Sequence, residues 1–193
     1  MDSVVSLDPR DGSITEIVAL ASDAEAVDTA CRSAAVAAAD LQRLSLVQRA
    51  EMLVRLAAAL DREAEELIQV ADRETALGAT RLAGELTRTT NQLRLFATVI
   101  TDAACFDAVI DHADAQSTPP APDLRRLLVP IGPVAVFGAS NFPFAFSVAG
   151  GDTASAWAAG CPVVVKAHSS HPALSLQVTA VIRAELEQAG LNP

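Results

Sequence analysis

The 193-residue sequence is short of basic residues and of long apolar runs. Its 14 Lys and Arg residues are outnumbered by 24 Asp and Glu residues, and the formal net charge is −10 at pH 7. Because nucleic acids and anionic membranes are bound through basic surfaces, this charge argues against either as a general partner, although a single Lys can still bind a phosphate. No apolar run reaches the roughly 18 residues that a membrane span needs, and Met1-Asp2-Ser3 lacks the basic start of a signal peptide. We therefore expect a soluble, cytoplasmic protein.

Cysteine is also scarce. Cys31, Cys105 and Cys161 are far apart, and no Cys-x-x-Cys spacing indicates a zinc site or a redox pair. Cys31 lies in an alanine-rich helical run and is predicted to pack in the core, and Cys161, at the start of a predicted strand, is also interpreted as structural. His168 and His171 have no third ligand of the right type nearby, so no metal site is predicted.

The rest of the composition predicts a folded core. The chain is 51% hydrophobic and 20% charged, which is enough for one sizeable core and argues against disorder. Residues 4–7 and 13–20 alternate in polarity around a turn at residues 8–12, as in a β-hairpin. The segment Ser22-Asp-Ala-Glu25 is interpreted as a capping box that opens a helix reaching about residue 41, and Ser45-Leu-Val-Gln48 repeats this signal.

Two longer helices are predicted next. Apolar residues recur at helical spacing from residue 46 to about residue 75, and a third helix runs from about residue 81 to residue 100, after the breaker Gly78. Charged residues on these helices, such as Glu63, are interpreted as solvated faces. The apolar residues that define the face of the 46–75 helix are Val47, Leu53, Leu56, Leu60, Leu67 and Val70.

Two short apolar runs in the second half of the chain are each followed by a polar turn. Residues 134–137 and 163–165 are predicted to be strands buried on both faces, and the segment between them has the length of a crossover helix. Ligands of open parallel sheets lie beyond the carboxyl ends of the strands. The turns Gly138-Ala-Ser-Asn141 and Lys166-Ala-His-Ser169 are therefore predicted to face one crevice, before a last helix at residues 174–188.

These motifs resemble those of the aldehyde dehydrogenase superfamily. The resemblance begins with Ser140-Asn141-Phe142-Pro143 after a buried strand and Val-Val-Val-Lys166 at the next strand end. Three further segments, Glu74-Thr-Ala-Leu-Gly78, Gly84-Glu-Leu-Thr-Arg-Thr-Thr90 and Gly150-Gly-Asp-Thr-Ala-Ser155, are similar to the branch that oxidises 2,5-dioxopentanoate (α-ketoglutaric semialdehyde), with fatty-aldehyde enzymes next. The resemblance covers nearly the whole chain. It implies oxidation of a small aldehyde to the carboxylate with a nicotinamide cofactor.

The resemblance also implies an organisation. The expected fold is α/β, an incomplete Rossmann-like parallel sheet with an N-terminal helical region and an oligomerisation arm. Residues 1–106 would form the hairpin and the helices that pack on the cofactor domain. Residues 107–130, with a Pro-rich loop at 113–123 and a candidate strand at 124–128, would form the arm of a homo-oligomer; an ordinary surface loop is the alternative. Residues 131–193 would form the first βαβ part of the dinucleotide-binding domain.

Aldehyde dehydrogenases are longer than this chain. Their nucleophilic cysteine, general-base glutamate and nicotinamide-side glycine motif match positions beyond Pro193, so the catalytic domain is expected to be absent. The chain is accordingly interpreted as the N-terminal part of an enzyme, inactive by itself. The alternative is a truncated, non-catalytic remnant or interaction module that retains half a cofactor site.

The resemblance gives roles to individual residues. Asn141 would stabilise the tetrahedral oxyanion through its neutral amide, whereas without the family an Asx-turn is the better interpretation. Lys166 would bind the adenosine-ribose hydroxyls or a 2′-phosphate, and a lysine that simply reaches solvent is the alternative. Ser169 stands where NAD-preferring relatives commonly carry glutamate, so NADP is predicted to be preferred and NAD tolerated. The remaining residues of the predicted cofactor site are His168, Ala139 and Ser140.

One position departs from the common pattern. Many family members carry a lysine where this chain has Asp152, and that lysine is thought to help the general base. The dioxopentanoate-like branch shares the acidic segment, so Asp152 is interpreted as a mark of the branch.

Overall fold

A computed structural model describes residues 2–191 of the protein and arranges them as a helical layer beside three small sheets. The chain order is β1 (Ser3–Leu7), β2 (Ile14–Leu20), α1 (Ala24–Arg43), α2 (Leu46–Arg62), α3 (Ala64–Thr75), α4 (Ala79–Thr101), a short 3-10 turn (Ala104–Phe106), β3 (Val109–Asp111), β4 (Leu124–Arg126), β5 (Val134–Phe137), α5 (Gly151–Ala159), β6 (Val163–Lys166) and α6 (Pro172–Gln188). The predicted α/β class is confirmed. None of the helices within residues 2–191 combines the length and the apolar character that crossing a membrane requires.

The predicted hairpin is present at the start of the chain. Strands β1 and β2 pair antiparallel from Ser3↔Leu20 to Leu7↔Ile14. Arg10, in the turn between them, fixes the hairpin to the helical layer: its Nη2 lies 2.6 Å from Oδ2 of Asp72 on α3.

Helix α1 begins one residue later than predicted. Its N-cap is Asp23, whose Oδ1 accepts a hydrogen bond of 2.8 Å from the N–H of Ala26, so the capping box predicted at Ser22 is wrong. An aspartate caps as well as a serine and adds a charge that complements the helix dipole. The prediction that Cys31 packs in the core is also wrong, because this helix lies on the surface and Ala34 is its one buried residue.

The helix predicted over residues 46–75 is two helices. The capping box at its start is confirmed, since Ser45 and Gln48 each bond the other's backbone. The chain then breaks at Glu63, which has φ −95° and ψ 11°. Leu60 and Leu67, on either side of the break, are both fully buried, so the apolar period continues across it.

The apolar face of the 46–75 helix follows the prediction except at Val47, whereas the prediction that charged residues of these helices are solvated is wrong for Arg49, Glu74 and Glu85, which are buried. Val47 is 59% exposed, because it lies on the outer face of α2 with Val54, two turns further along, which is 44% exposed. Glu63, Glu65 and Glu66 are exposed, as predicted. Helix α4 begins after Gly78, whose φ of 88° is the left-handed conformation that glycine adopts without strain.

One apolar core joins the helical layer to the second half of the chain. Each fully buried leucine contributes roughly 1.5–3 kcal/mol relative to exposure, and helices α2 and α4 supply most of them. Helices α5 and α6 add buried alanine and aliphatic side chains to the same cluster. Representative members are Leu53, Leu56 and Leu60 of α2, Leu82, Leu86 and Leu93 of α4, Ala154 and Ala158 of α5, and Leu174, Val178 and Ile182 of α6.

The predicted βαβ unit is confirmed, with β5 and β6 pairing in parallel around the crossover helix α5. The expectation that both strands are buried on two faces is wrong for the described residues. Phe137 is 72% exposed, and residues 163–165 are only partly buried. Two strands that pair only with each other within residues 2–191 leave a sheet too narrow to be covered on both sides.

The candidate strand at residues 124–128 is shorter than predicted and has a partner within the chain. Strand β4 ends at Arg126 and pairs antiparallel with β3. The Pro-rich segment between them is a loop, as predicted, and is closed by a bridge between Asp114 and Ala121. Its role as an oligomerisation arm stays a prediction.

Candidate active site

The two polar turns of the βαβ unit meet at one edge of the sheet. Phe137 pairs with Lys166 in the parallel register, and the N–H of Gly138 donates to the carbonyl oxygen of Lys166 at 3.0 Å. The structure therefore brings residues 138–141 and 166–169 together, as the sequence predicted.

Gly138 allows this close approach. A Cβ at this position would lie 3.3 Å from the backbone nitrogen of His168 and 3.4 Å from Oγ of Ser147. The distance to His168 is shorter than most Cβ contacts, so a larger residue in the turn after β5 would require the turn after β6 to shift by a few tenths of an ångström.

His171 holds the turn after β5 in contact with the turn after β6 through a hydrogen bond of its ring. It is fully buried, its Nε2 donates to the carbonyl oxygen of Ala139 at 2.9 Å, and its Nδ1 lies 3.3 Å from Oγ of Ser175. The sequence predicted only that this residue ends the loop before the last helix. It does so as the N-cap of α6, and it also ties that helix to the turn after β5.

His168 lies over His171 with the two rings nearly parallel and their centroids 5.7 Å apart. Its Nδ1 accepts a hydrogen bond of 3.1 Å from the N–H of Ser170, which fixes the ring in the turn. Partial burial lowers the pKa of His168, and the neighbouring His171 and Lys166 lower it further. The crevice therefore offers a neutral imidazole at pH 7.

Both backbone polar groups of Ala139 are hydrogen-bonded within the protein. Its N–H donates to the carbonyl oxygen of Phe146 at 2.8 Å, and its own carbonyl oxygen accepts from His171. The predicted contact of Ala139 with a cofactor would therefore involve its methyl group or the second lone pair of its carbonyl oxygen.

The other predicted site side chains point to solvent. Asn141, Ser140, Lys166 and Ser169 are exposed, and within residues 2–191 none of their side chains is hydrogen-bonded. The Asx-turn considered for Asn141 is not formed. The amide of Asn141, the ammonium of Lys166 and the two hydroxyl groups are accordingly accessible to a ligand.

Cys161 and Asp152 lie away from the end of the sheet that carries the two polar turns. Cys161 is 3% exposed and precedes β6 at the end of the sheet opposite the crevice, which agrees with its structural interpretation. Asp152 is exposed in the first turn of α5, where a carboxylate complements the helix dipole. No three His, Cys, Asp or Glu side chains of residues 2–191 form a metal-binding group.

Comparison with known proteins decides the family. The model of the aldehyde dehydrogenase family matches residues 2–192. The chain belongs to the aldehyde dehydrogenase family.

Relatives within this family agree with the branch that the motifs indicated. The chain is 49% identical over 166 residues to α-ketoglutaric semialdehyde dehydrogenase 2 of Azospirillum brasilense, covering 86% of this chain and 32% of the relative. It is 45% identical over 166 residues, with the same shares covered, to α-ketoglutaric semialdehyde dehydrogenase of Acinetobacter baylyi. The chain thus spans about a third of the length of the curated relatives it matches.

Solved structures support the fold. The aldehyde dehydrogenase of Brucella melitensis superposes with a TM-score of 0.82 at 19% identity, over 95% of this chain and 36% of that protein. The Rossmann-like interpretation of the βαβ unit and its helical neighbours is confirmed by this likeness.

Sequence reasoning missed two residues that hold the turns of this aldehyde dehydrogenase segment in place. Glu74 of α3 is buried, and its two carboxylate oxygens accept from the N–H groups of Ala173 and Leu174 at 2.9 and 2.8 Å, so it caps α6. Glu85 of α4 is also buried and binds the backbone after Asn141. Both glutamates lie in the segments that carried the family resemblance, which was the only signal that could have found them.

Proposed function

We propose that the protein containing this chain oxidises α-ketoglutaric semialdehyde, or a similar small semialdehyde, to the carboxylate, with NADP preferred and NAD tolerated. The observation that carries the proposal is the meeting of the Asn141 turn with the Lys166 turn at one sheet edge. The identity of almost half of the residues with α-ketoglutaric semialdehyde dehydrogenases supports the substrate class.

The residues at this edge fit the adenosine end of a nicotinamide dinucleotide. Gly138 lets the two turns approach each other closely, and Lys166 supplies an exposed cation for a 2′-phosphate or ribose oxygens. Ser169 and Ser140 add hydroxyl groups without negative charge. The neutral ring of His168 forms a face of the crevice that does not repel an adenosine. When bound, the cofactor accepts a hydride from the substrate.

Asn141 acts on the aldehyde oxygen. An amide N–H directed at this oxygen stabilises the negative charge that develops when a cysteine attacks the carbonyl carbon, and the amide does not titrate. The cysteine of this attack is none of Cys31, Cys105 and Cys161. The chain therefore contributes the oxyanion donor and part of the cofactor site, and the nucleophile must come from elsewhere in the protein.

The test is a steady-state assay of the full-length protein with the semialdehyde and NADP. Replacing Asn141 with Ala should lower kcat/KM by roughly 100- to 1,000-fold, the cost of losing one oxyanion donor. The matched control is Asn91→Ala, which removes an exposed asparagine from α4 and should have little effect. Equal activity of the Asn141→Ala and Asn91→Ala proteins would contradict the assignment of Asn141.

A second experiment separates an enzyme from a remnant. Reading the coding sequence past codon 193 should reveal first a glutamate-containing and then a cysteine-containing segment that complete the catalytic site. The 193-residue chain alone should oxidise no semialdehyde, and turnover above that of a cysteine-free variant would refute the structural role of Cys161. A stop codon directly after codon 193 would favour the remnant.

A further inference from the structure

Helix α4 presents three residues, each one turn from the next, to the segment that contains Asn141. Arg81, Glu85 and Arg88 are spaced four and three residues apart, so they lie on the same face of the helix. All three contact residues 141–146. This face, the α4 clamp, is the principal side-chain support of the turn.

Glu85 makes the central contact of the α4 clamp. It is 6% exposed, and its Oε1 accepts hydrogen bonds from the N–H groups of Phe144 and Ala145 at 2.8 and 3.0 Å. These N–H groups belong to a buried turn outside any helix or strand, so without Glu85 both would lose their partner. Buried backbone donors without a partner are costly, so the turn would have to move.

The two arginines hold the turn on either side. Nη2 of Arg81 donates to the carbonyl oxygen of Asn141 at 2.8 Å, and its guanidinium lies over the ring of Phe142. The guanidinium of Arg88 lies 5.4 Å from the ring centre of Phe146. Because Phe142 and Phe146 also pack edge to face, the aromatic pair and the α4 clamp form one unit.

We propose that Glu85 is a positioning residue for Asn141, acting through the backbone of residues 144–145. This inference rests on the proposed function, because it assigns Glu85 to the oxyanion donor of that same site. An oxyanion donor is effective only when it is held close to its productive position, and Asn141 has an exposed side chain with no hydrogen bond of its own within residues 2–191. Its direction therefore depends on the turn, and the turn depends on Glu85.

The first test compares two substitutions in the full-length protein. Glu85→Ala removes the acceptor, and kcat/KM for the aldehyde should fall by roughly 10- to 100-fold as the donor shifts, while KM for NADP should change less, because Lys166 and Ser169 lie on the other turn. Glu85→Gln keeps an acceptor oxygen at the same place and should restore activity to within a few-fold of the wild type. Equal losses in the two variants would overturn the proposal.

A double-mutant cycle distinguishes positioning from general support. In an Asn141→Ala background, Glu85→Ala should change kcat/KM by less than about twofold, because there is no donor left to position. The matched control is Glu74→Ala, which removes another buried carboxylate with two backbone N–H partners. Its effect should be the same in both backgrounds, and a Glu85→Ala effect equally independent of Asn141 would refute the proposal.

Amide hydrogen exchange tests the role of Glu85 without relying on the activity of the protein. In the full-length protein, the amide hydrogens of Phe144 and Ala145 should exchange faster in Glu85→Ala than in the wild type, with Glu85→Gln close to the wild type. If the wild-type protein oxidises no semialdehyde, the proposed function fails, and this measurement still decides whether Glu85 holds the turn. Unchanged exchange in Glu85→Ala would overturn the positioning role even in an active enzyme.

Discussion

The ring of His171 joins the last helix to the turn after β5, since its Nε2 lies 2.9 Å from the carbonyl oxygen of Ala139. The same helix receives a second support at its N-terminus from Glu74. The backbone donors of Ala173 and Leu174 at the start of α6 are therefore used by the protein itself and are not free to bind a ligand.

The cofactor prediction concerns Ser169. Ser169→Glu would place a carboxylate that accepts hydrogen bonds from ribose hydroxyls and repels a 2′-phosphate. The ratio of kcat/KM for NADP to that for NAD should shift towards NAD by at least about tenfold, or roughly 1.4 kcal/mol. Ser170→Glu, which adds the same charge one residue later, should shift the ratio less. A ratio that does not move in Ser169→Glu would show that this residue does not face the 2′-position.

Close packing beneath the Asn141 turn gives a prediction on stability. A Cβ at Gly150 would lie 2.5 Å from the carbonyl oxygen of Ala145, so Gly150→Ala must displace the turn. We expect a loss of roughly 1–3 kcal/mol in the free energy of unfolding, measured by urea denaturation. Gly84→Ala is the control: nothing lies within 4 Å of its Cβ position on α4, so this change should stabilise by roughly 0.5–1 kcal/mol. A harmless Gly150→Ala would contradict the geometry.

The lowered pKa of His168 predicts a pH dependence of stability. The folded protein holds this histidine neutral below the ordinary pKa of 6.5, whereas the unfolded chain takes up the proton there. Because the unfolded state then binds more protons, stability should fall as the pH falls from about 6.5 towards the folded pKa, with no further loss below it. Urea denaturation between pH 5 and pH 8 should show this loss in the wild type and a smaller one in His168→Gln. Identical pH profiles would rule out the contribution of His168.

Exposed apolar side chains just before strand β5 and at its end predict self-association of the 193-residue chain. The five residues that form this apolar strip are each more than half exposed: Leu127, Leu128, Val129, Ile131 and Phe137. Contiguous apolar surface beside an unpaired strand favours pairing or aggregation. Sizing chromatography should show species larger than a monomer, and Ile131→Lys with Phe137→Lys should reduce them. Val36→Lys, at an exposed valine on α1, should not; a monomeric wild-type chain would show the strip to be harmless.

Much of this fold could be predicted because local signals agree with it. The hairpin, α4, the βαβ unit and α6 are bounded by glycine, proline or capping residues and carry a regular apolar period. The break at Glu63 has neither glycine nor proline, and the buried leucines continue in phase through it, so the sequence contains no sign of it. Cys31 was misplaced because the amphipathic pattern of α1 does not show whether its apolar face is covered, and within residues 2–191 only Ala34 of this helix is buried.

The residues of the site that follow the strands could be predicted from the sequence, whereas the buried glutamates that support them could not. Asn141 and Lys166 follow strands, and the carboxyl ends of parallel strands meet. Glu85 and Glu74 act on backbone N–H groups that lie 59 and about 100 residues further along the chain. Every residue except proline has a backbone N–H group, so the residues that donate to these glutamates cannot be recognised from the sequence.

Residues 107–130 connect the N-terminal helices to the βαβ unit and add nothing to the core that the two parts share. None of residues 107–130 is buried, whereas the two halves share one core and are bridged by contacts such as that of Arg55 with Glu185. The connecting peptide is therefore dispensable to cohesion once folding is complete. A protease that cut the Pro-rich loop should leave a nicked, non-covalent complex whose two pieces stay together and keep the Asn141 turn on the α4 clamp.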